Sequence, residues 1–188
     1  MTDLTEIIEY VKNNLSEKRF IHITGVAKTA KDLACFYGEN ELYAEMSGYL
    51  HDIAKELTLQ QMNEITKELD LDESIRCSKA MMHAIAGAEL AKNLFCVPVE
   101  VYNACRYHTT GRENMTKLEK IVFLSDMIEP SRDFSGLDEI KTLAKTDLDK
   151  AVLACLNSTL LHLIKTNKKI HYPSVKTRNF LLTKSGQM

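Results

Sequence analysis

Arg19-Phe20-Ile21-His22-Ile23-Thr24-Gly25-Val26-Ala27-Lys28-Thr29-Ala30-Lys31-Asp32-Leu33-Ala34-Cys35-Phe36-Tyr37-Gly38 decides the fold class. Phe20, Ile23, Ala27, Ala30 and Ala34 recur at steps of three and four residues, which lines one side of an α-helix. Gly38 follows where a helix takes a left-handed cap, a conformation glycine adopts without steric cost. The same spacing continues downstream and predicts helices over 42–55, 58–69, 84–95, 99–108, 117–129, 147–168 and 174–183. Thr58 and Asp147 supply N-cap oxygens, Val97-Pro98 separates two helices, and Pro130 stops another. Loops are expected at Asn114, at 131–136 and at 167–173. Seven glycines and three prolines in 188 residues are too little turn punctuation for a many-stranded sandwich or barrel. The expected fold is all-α.

Composition bounds the partners. Hydrophobic residues make 45% and charged residues 27% of the chain, ordinary proportions for a chain that folds unaided. No apolar run approaches the roughly 20 residues of a membrane helix. Met1 to Leu4 opens an acidic amphipathic stretch rather than a basic leader, so a cytoplasmic protein with no membrane partner is expected. Five widely spaced cysteines without a CxxC pair read as reduced core residues. Net charge is -2, yet residues 165–188 hold six basic side chains and no acidic one, leaving 18 basic against 26 acidic residues before them. A local basic surplus on an acidic chain implies an anion site. Duplex-binding proteins are basic overall, so a small phosphorylated ligand is expected and nucleic acid is not.

Five places carry chemistry. His22 shares a helical row with Val26 and Leu33, at the edge of the apolar stripe. His51-Asp52 is an adjacent pair at the end of its expected helix, where neighbouring side chains diverge by about 100°. His83 opens one helix above Gly87 and Leu90, and His108 closes the face made by Val101, Ala104 and Cys105. Asp126 lies inside Ile121-Val122-Phe123-Leu124-Ser125-Asp126-Met127-Ile128, where a buried carboxylate is costly unless paired or bound to metal. A single inward histidine is ordinarily a satisfied core residue. Four of the six histidines and two aspartates on inward faces have one common explanation, a divalent metal such as Fe, Mn, Zn, Co or Ni, with a carboxylate able to bridge two ions.

The order His22, His51-Asp52, Asp126 resembles the H…HD…D signature of the HD superfamily of metal-dependent phosphohydrolases, and His83 and His108 extend it to the six-ligand H…HD…H…H…D subset. Arg19-Phe20-Ile21-His22-Ile23-Thr24-Gly25-Val26, Leu50-His51-Asp52-Ile53-Ala54-Lys55, His83-Ala84-Ile85-Ala86-Gly87-Ala88, Tyr107-His108-Thr109-Thr110-Gly111, Leu124-Ser125-Asp126-Met127-Ile128-Glu129-Pro130-Ser131-Arg132 and Ile170-His171-Tyr172-Pro173 resemble the bacterial HD-type symmetrical diadenosine tetraphosphate hydrolases. The resemblance implies one all-α helical bundle of the HD type over 1–188. Its core would cover about 18–130, with the long C-terminal helix and basic loop packed on it. It implies cleavage of diadenosine tetraphosphate to two ADP with one or two divalent ions, iron first. His22, His51, Asp52 and Asp126 would hold the first ion, while His83 and His108 would hold a second ion or phosphate. Lys55, on the His51 face of the helix, and Arg132 would stabilise phosphate. Gly25, Lys79, Ser125, His171, Tyr172, Pro173, Ser174, Val175, Lys176 and Arg178 are candidate substrate contacts. Tyr172 and Thr177 stand where smaller residues are expected. The alternatives are another HD-type nucleotide phosphohydrolase, such as a nucleotidase or phosphodiesterase, and a non-catalytic nucleotide-sensing HD domain. Met81 and Met82 read as core and His162 as structural or exposed.

Overall fold

Capping side chains start most helices of the computed structural model, which describes residues 3–184. Asp3 caps α1 (Leu4–Asn14), Ser16 caps α2 (Glu17–Tyr37), Asn40 caps α3 (Glu41–Leu50), and Thr58 closes a capping box with Gln61 at α4 (Leu59–Ile65). The short α5 (Glu73–Arg76), α6 (Lys79–Phe95) and α7 (Val99–Tyr107) follow. Thr116 and Glu119 form a second capping box at α8 (Lys117–Ile128). Then come α9 (Leu137–Leu143), α10 (Leu148–Lys165), capped by Asp147 as expected, and α11 (Tyr172–Lys184). No strand occurs among the described residues, so the all-α reading is correct. Gly38 caps α2 with φ of 61°.

The apolar stripe on α2 is the hinge of the architecture. Ile23, Ala27, Ala30 and Ala34 are fully buried or nearly so, and α2 packs against α3 on one flank and α8 on the other. Gly48 of α3 crosses over Ala27 so closely that a Cβ on it would lie 2.3 Å from the Ala27 Cα. Small residues on both helices permit this approach, and it brings the row of His22 beside the end of α3. α7 bridges α3, α6 and α8, and α10 lies along α8 with α11 against it.

Several boundaries differ from expectation. The helix expected over 42–55 stops at Leu50, and residues 51–56 run as successive turns. α6 begins at Lys79 rather than at 84, so His83 sits a full turn inside it, with Met81 and Met82 buried as core. α11 begins at Tyr172, before Pro173, which suits a residue with fixed φ and no N–H in a first turn. α1, α5 and α9 lie outside the expected helices; α1 is nonetheless anchored by fully buried Ile7 and Val11. Only Cys105 and Cys155 are core residues. Cys35, Cys77 and Cys96 are exposed, because they fall on outer helix faces or at helix ends.

Candidate metal centre

The ends and inner faces of five helices converge on one carboxylate. Asp52 lies in the turn just past α3, after the C-cap His51, and is 1% exposed. Its Oδ1 lies 3.2 Å from Nε2 of His83 on α6 and 3.6 Å from Nε2 of His108 at the end of α7. Its Oδ2 faces Nε2 of His51 at 3.6 Å and of His22 at 3.9 Å. Asp126, in the last turn of α8, places Oδ1 3.1 Å from His22 Nε2 and 3.9 Å from His51 Nε2. The cluster is therefore a strip, with His22 and Asp126 at one end, His83 and His108 at the other, and Asp52 in the middle. Asp126 was expected to be buried in its apolar run, yet its side chain is 21% exposed, so it faces the opening of the site.

Hydrogen bonds fix the tautomer of the four histidines of the strip. His51 Nδ1 donates to Gly48 O at 2.7 Å, His108 Nδ1 to Cys105 O at 2.7 Å, His83 Nδ1 to Lys79 O at 3.4 Å, and His22 Nδ1 to a Glu129 carboxylate oxygen at 3.0 Å. Each acceptor can only accept, so each Nδ1 carries a proton and each Nε2 is turned into the strip, toward Asp52 for His51, His83 and His108 and toward Asp126 for His22. Burial pushes His51 down to about 4, so it is neutral near pH 7. His83 is lowered as well, by burial and by the neighbouring His108 and Lys55. Burial also lowers His22, but Asp126 and Glu129 outweigh it and leave its pKa raised. Burial works against charge on Asp52, yet the surrounding histidines hold its carboxyl well below the usual range, so it stays ionised.

Such an arrangement calls for a cation. Nε2 of His22, Nε2 of His51 and Oδ1 of Asp52 are buried without a hydrogen-bond partner, a costly state for polar atoms unless something binds them. The Nε2 atoms of His83 and His108 lie 3.1 Å apart. Three overlapping ligand sets, His22-His51-Asp52, His51-His108-Asp126 and Asp52-His83-His108, each bring their donor atoms within 4.8 Å of one another. Imidazole nitrogen with carboxylate oxygen suits borderline divalent ions.

Cations rim the strip. Lys55 Nζ lies 3.0 Å from His83 Nε2 and 3.4 Å from Asp52 Oδ1; the turn after α3 delivers it, not the helical face expected from the sequence. Arg132 donates to Asp126 through both its side-chain carboxylate and its backbone carbonyl. Three further residues were not read as site residues. Arg19 pairs with Asp52 Oδ2 at 2.7 Å, Thr109 places Oγ1 within 3.3 Å of His83 Nε2 and 3.2 Å of His108 Nε2, and Glu129 anchors His22. Spacing carried the missing signal: Arg19 and Glu129 each lie three residues along a helical repeat from His22 and Asp126.

Gly25, expected at the substrate, instead faces Glu129: a Cβ there would lie 2.8 Å from Glu129 Oε2. Glu129 is 1% exposed and also accepts hydrogen bonds from Ser131 N and Oγ. Partners that orient a ligating histidine are typically worth ten- to a hundredfold in metal affinity. Glu129→Gln and Gly25→Ala are therefore each expected to weaken metal binding by roughly that factor. Metal titration on folded protein checks this, and unchanged affinity in both variants would contradict it.

The other candidates scatter. Ser125 is buried with its hydroxyl turned back onto Ile121 O. Lys79 is exposed at the start of α6. His171, bonded to Ser78 Oγ, and Ser174 line a cleft of about 390 Å³ with Thr109, Lys168 and Lys169. Tyr172, Pro173 and Lys176 line an adjoining cleft of about 340 Å³ that also contains Thr109. Val175 and Arg178 face a different groove, formed with Leu160, Leu161 and Ile164, and are not brought to the strip. His162 is exposed.

The HD domain family model matches residues 19–131, which contain all six residues of the strip. The chain is 39% identical over 177 residues to a symmetrical bis(5'-nucleosyl)-tetraphosphatase of Halalkalibacterium halodurans, covering 93% of this chain and 95% of that protein. It is 36% identical over 182 residues to the Bacillus subtilis protein of the same name, covering 96% and 98%. Among solved structures, a Clostridium acetobutylicum protein described as a predicted HD superfamily hydrolase involved in NAD metabolism superposes with a TM-score of 0.94 at 37% identity, covering 98% of this chain and 99% of that one. With the inward Nε2 atoms and the central aspartate in the arrangement its order of ligands implies, the chain belongs to the HD-domain family of hydrolases.

Proposed function

We propose that this chain is a metal-dependent hydrolase that cleaves diadenosine tetraphosphate symmetrically into two ADP. The observation that carries the reading is the strip itself, four inward Nε2 atoms and two carboxylates rimmed by Lys55, Arg19 and Arg132, in a chain similar over nearly its whole length to symmetrical bis(5'-nucleosyl)-tetraphosphatases. His22, His51, Asp52 and Asp126 would hold one ion. His83 and His108, with Asp52 as bridge, would hold a second ion or meet phosphate directly. Iron is the first candidate, with Mn, Co, Ni and Zn compatible with the same donors. A divalent ion bound there supplies neutralisation of phosphoryl charge and an acidified water.

The chain's own residues do the rest. Water adds its oxygen to one of the two central phosphorus atoms, the bridging P–O bond on that atom breaks, and ADP leaves on each side. ADP is a tolerable leaving group, so the demand on the protein is charge stabilisation more than acid catalysis. Lys55 approaches the His83 end and Arg132 the Asp126 end, where an ammonium and a planar guanidinium can meet phosphate oxygens of opposite halves of the substrate. A nucleotide substrate of this kind agrees with work in the cytoplasm, and no helix of the described residues is long and apolar enough to cross a membrane.

Another HD-type nucleotide phosphohydrolase would use the same ligands, so a substrate panel separates the readings. Metal-loaded protein offered diadenosine tetraphosphate, AMP and a cyclic dinucleotide in parallel should turn over the first with the highest kcat/KM and lose that turnover with a chelator. Preference for either of the others would move the assignment within the superfamily. Metal binding with no turnover of any would leave a sensing domain.

A further inference from the structure

Donor lone pairs at the two ends of the strip are not in the same state. At the His22 end, Nε2 of His22 and Nε2 of His51 have no hydrogen-bond partner. Arg19 and Arg132 approach this end too, but they hold the carboxylates of Asp52 and Asp126 and leave both imidazoles bare. A carboxylate oxygen has two lone pairs and can accept from a guanidinium while still facing a metal ion; a neutral imidazole has one to offer. At the other end, that single lone pair is taken on both rings. With Nδ1 of His83 and of His108 donating to backbone carbonyls, both Nε2 atoms are acceptors, and they face each other at 3.1 Å. Lys55 Nζ lies 3.0 Å from His83 Nε2, and Thr109 Oγ1 lies 3.2 Å from His108 Nε2. The ammonium can only donate and the hydroxyl has one proton to give, so each serves one ring. Asp52 Oδ1, the third donor of this end, makes no hydrogen bond but has the same ammonium at 3.4 Å.

We propose that Lys55 and Thr109 hold the His83 end of the strip closed to a second ion, so that the His22 end takes one resident ion tightly and the His83 end takes another only by displacing them. This deepens the reading of the strip as the metal centre of a hydrolase and rests on it. Lys55 acts as a built-in cation, its charge within 3.4 Å of two of the donors that a second ion needs. An entering divalent ion must expel that like charge or bear its repulsion, which at such distances and partial exposure is worth roughly tenfold in affinity. Donor count adds to the inequality, since the His22 end offers four donors with two carboxylates against three with one. The closure is reversible, because Lys55 stands on a flexible four-carbon stem and its side chain is 35% exposed. When metal is scarce, this end therefore meets phosphate with an ammonium and two imidazoles rather than with a second ion.

Titration of the chelator-treated full chain with Mn(II), followed by calorimetry and by the EPR signals of free and paired ions, reads the two steps without reference to turnover. The wild type should bind one ion, and a second at least about a hundredfold more weakly. Lys55→Met keeps the stem and removes the charge, so it should tighten the second step about tenfold and leave the first within about twofold. Thr109→Val should tighten the second step by a smaller factor, and His83→Ala should abolish it while keeping the first. Even so tightened, the second ion remains the weaker and leaves on dialysis, so a dialysed Lys55 variant retains one ion as the wild type does. Two ions of equal affinity in the wild type overturn the proposal. A second step absent from Lys55→Met or indifferent to it does the same, as does loss of the tight ion in folded His83→Ala. Unequal steps that respond to Lys55→Met in a protein that turns over no nucleotide leave the closure standing and refute the hydrolase reading instead.

Discussion

Asp52→Ala is expected to lose bound metal and turnover together, with a larger effect than any other single substitution in the strip. Asp52 is the one residue whose two oxygens face both ends, His83 and His108 through Oδ1 and His22 and His51 through Oδ2. Removing it takes away the charge that the four imidazoles share and leaves Arg19 without its carboxylate partner. Because loss of an outer partner of a metal ligand already costs up to about a hundredfold, loss of the central ligand should exceed that in metal affinity and leave no measurable turnover. Lys55→Ala separates the roles. Its side chain is 35% exposed and touches the strip from the rim, so metal content should remain near the wild-type value while turnover falls. Equal metal loss in both variants, measured by elemental analysis after dialysis, would refute the phosphate role given to Lys55. His162→Ala, on an exposed surface of α10, is the control and should leave both readouts unchanged.

Gly48→Ala is expected to produce the largest loss of stability. Its new methyl would lie 2.3 Å from the Ala27 Cα and 2.6 Å from the Ala27 nitrogen, and these atoms belong to a helix backbone that cannot rotate aside. Overpacking in a dense core costs about 1–3 kcal/mol, occasionally more, and contact with backbone puts this case at the upper end. For a chain of this size that lowers Tm by roughly 10 °C. The same shift would move Gly48 O away from His51 Nδ1, so metal affinity should fall alongside stability. Gly38→Ala is the contrast: φ there is 61° and nothing lies within 4 Å of the added Cβ, so only the local cost of a left-handed residue, about 1–2 kcal/mol, applies. Thermal unfolding of both variants decides the matter. An unchanged Tm for Gly48→Ala would mean that α2 and α3 can separate freely, contrary to the close crossing.

What could be read from the residues alone was governed by periodicity. The alternation of threes and fours from Phe20 to Ala34 carries α2, and the inward row of His22 follows from it without knowledge of the neighbouring helices. Helix ends were less legible. The end of α3 at Leu50 is set by tertiary demands, since His51 and Asp52 must turn into the strip, and residues 51–56 retain a helical-looking composition. The start of α6 at Lys79 was missed although Ser78 stands at the N-cap position, where its side chain makes no capping hydrogen bond. Gly25 illustrates a different limit. Its glycine is explained by Glu129, more than a hundred residues away, and no local pattern could disclose that the space above it is filled by a carboxylate. The scatter of the C-terminal candidates has a similar cause: α11 is helical from Tyr172, so Val175 and Arg178 project to a different side from Tyr172 and Lys176.

Product analysis decides whether the strip performs symmetrical cleavage. Metal-loaded protein incubated with diadenosine tetraphosphate, beside a chelator-treated aliquot, should yield ADP as the sole nucleotide product, and only in the untreated sample. AMP together with ATP would mean that water attacks at an outer phosphate and that the scissile bond does not lie between the two halves; product formation undiminished by the chelator would contradict a metal held by His22, His51, Asp52 and Asp126.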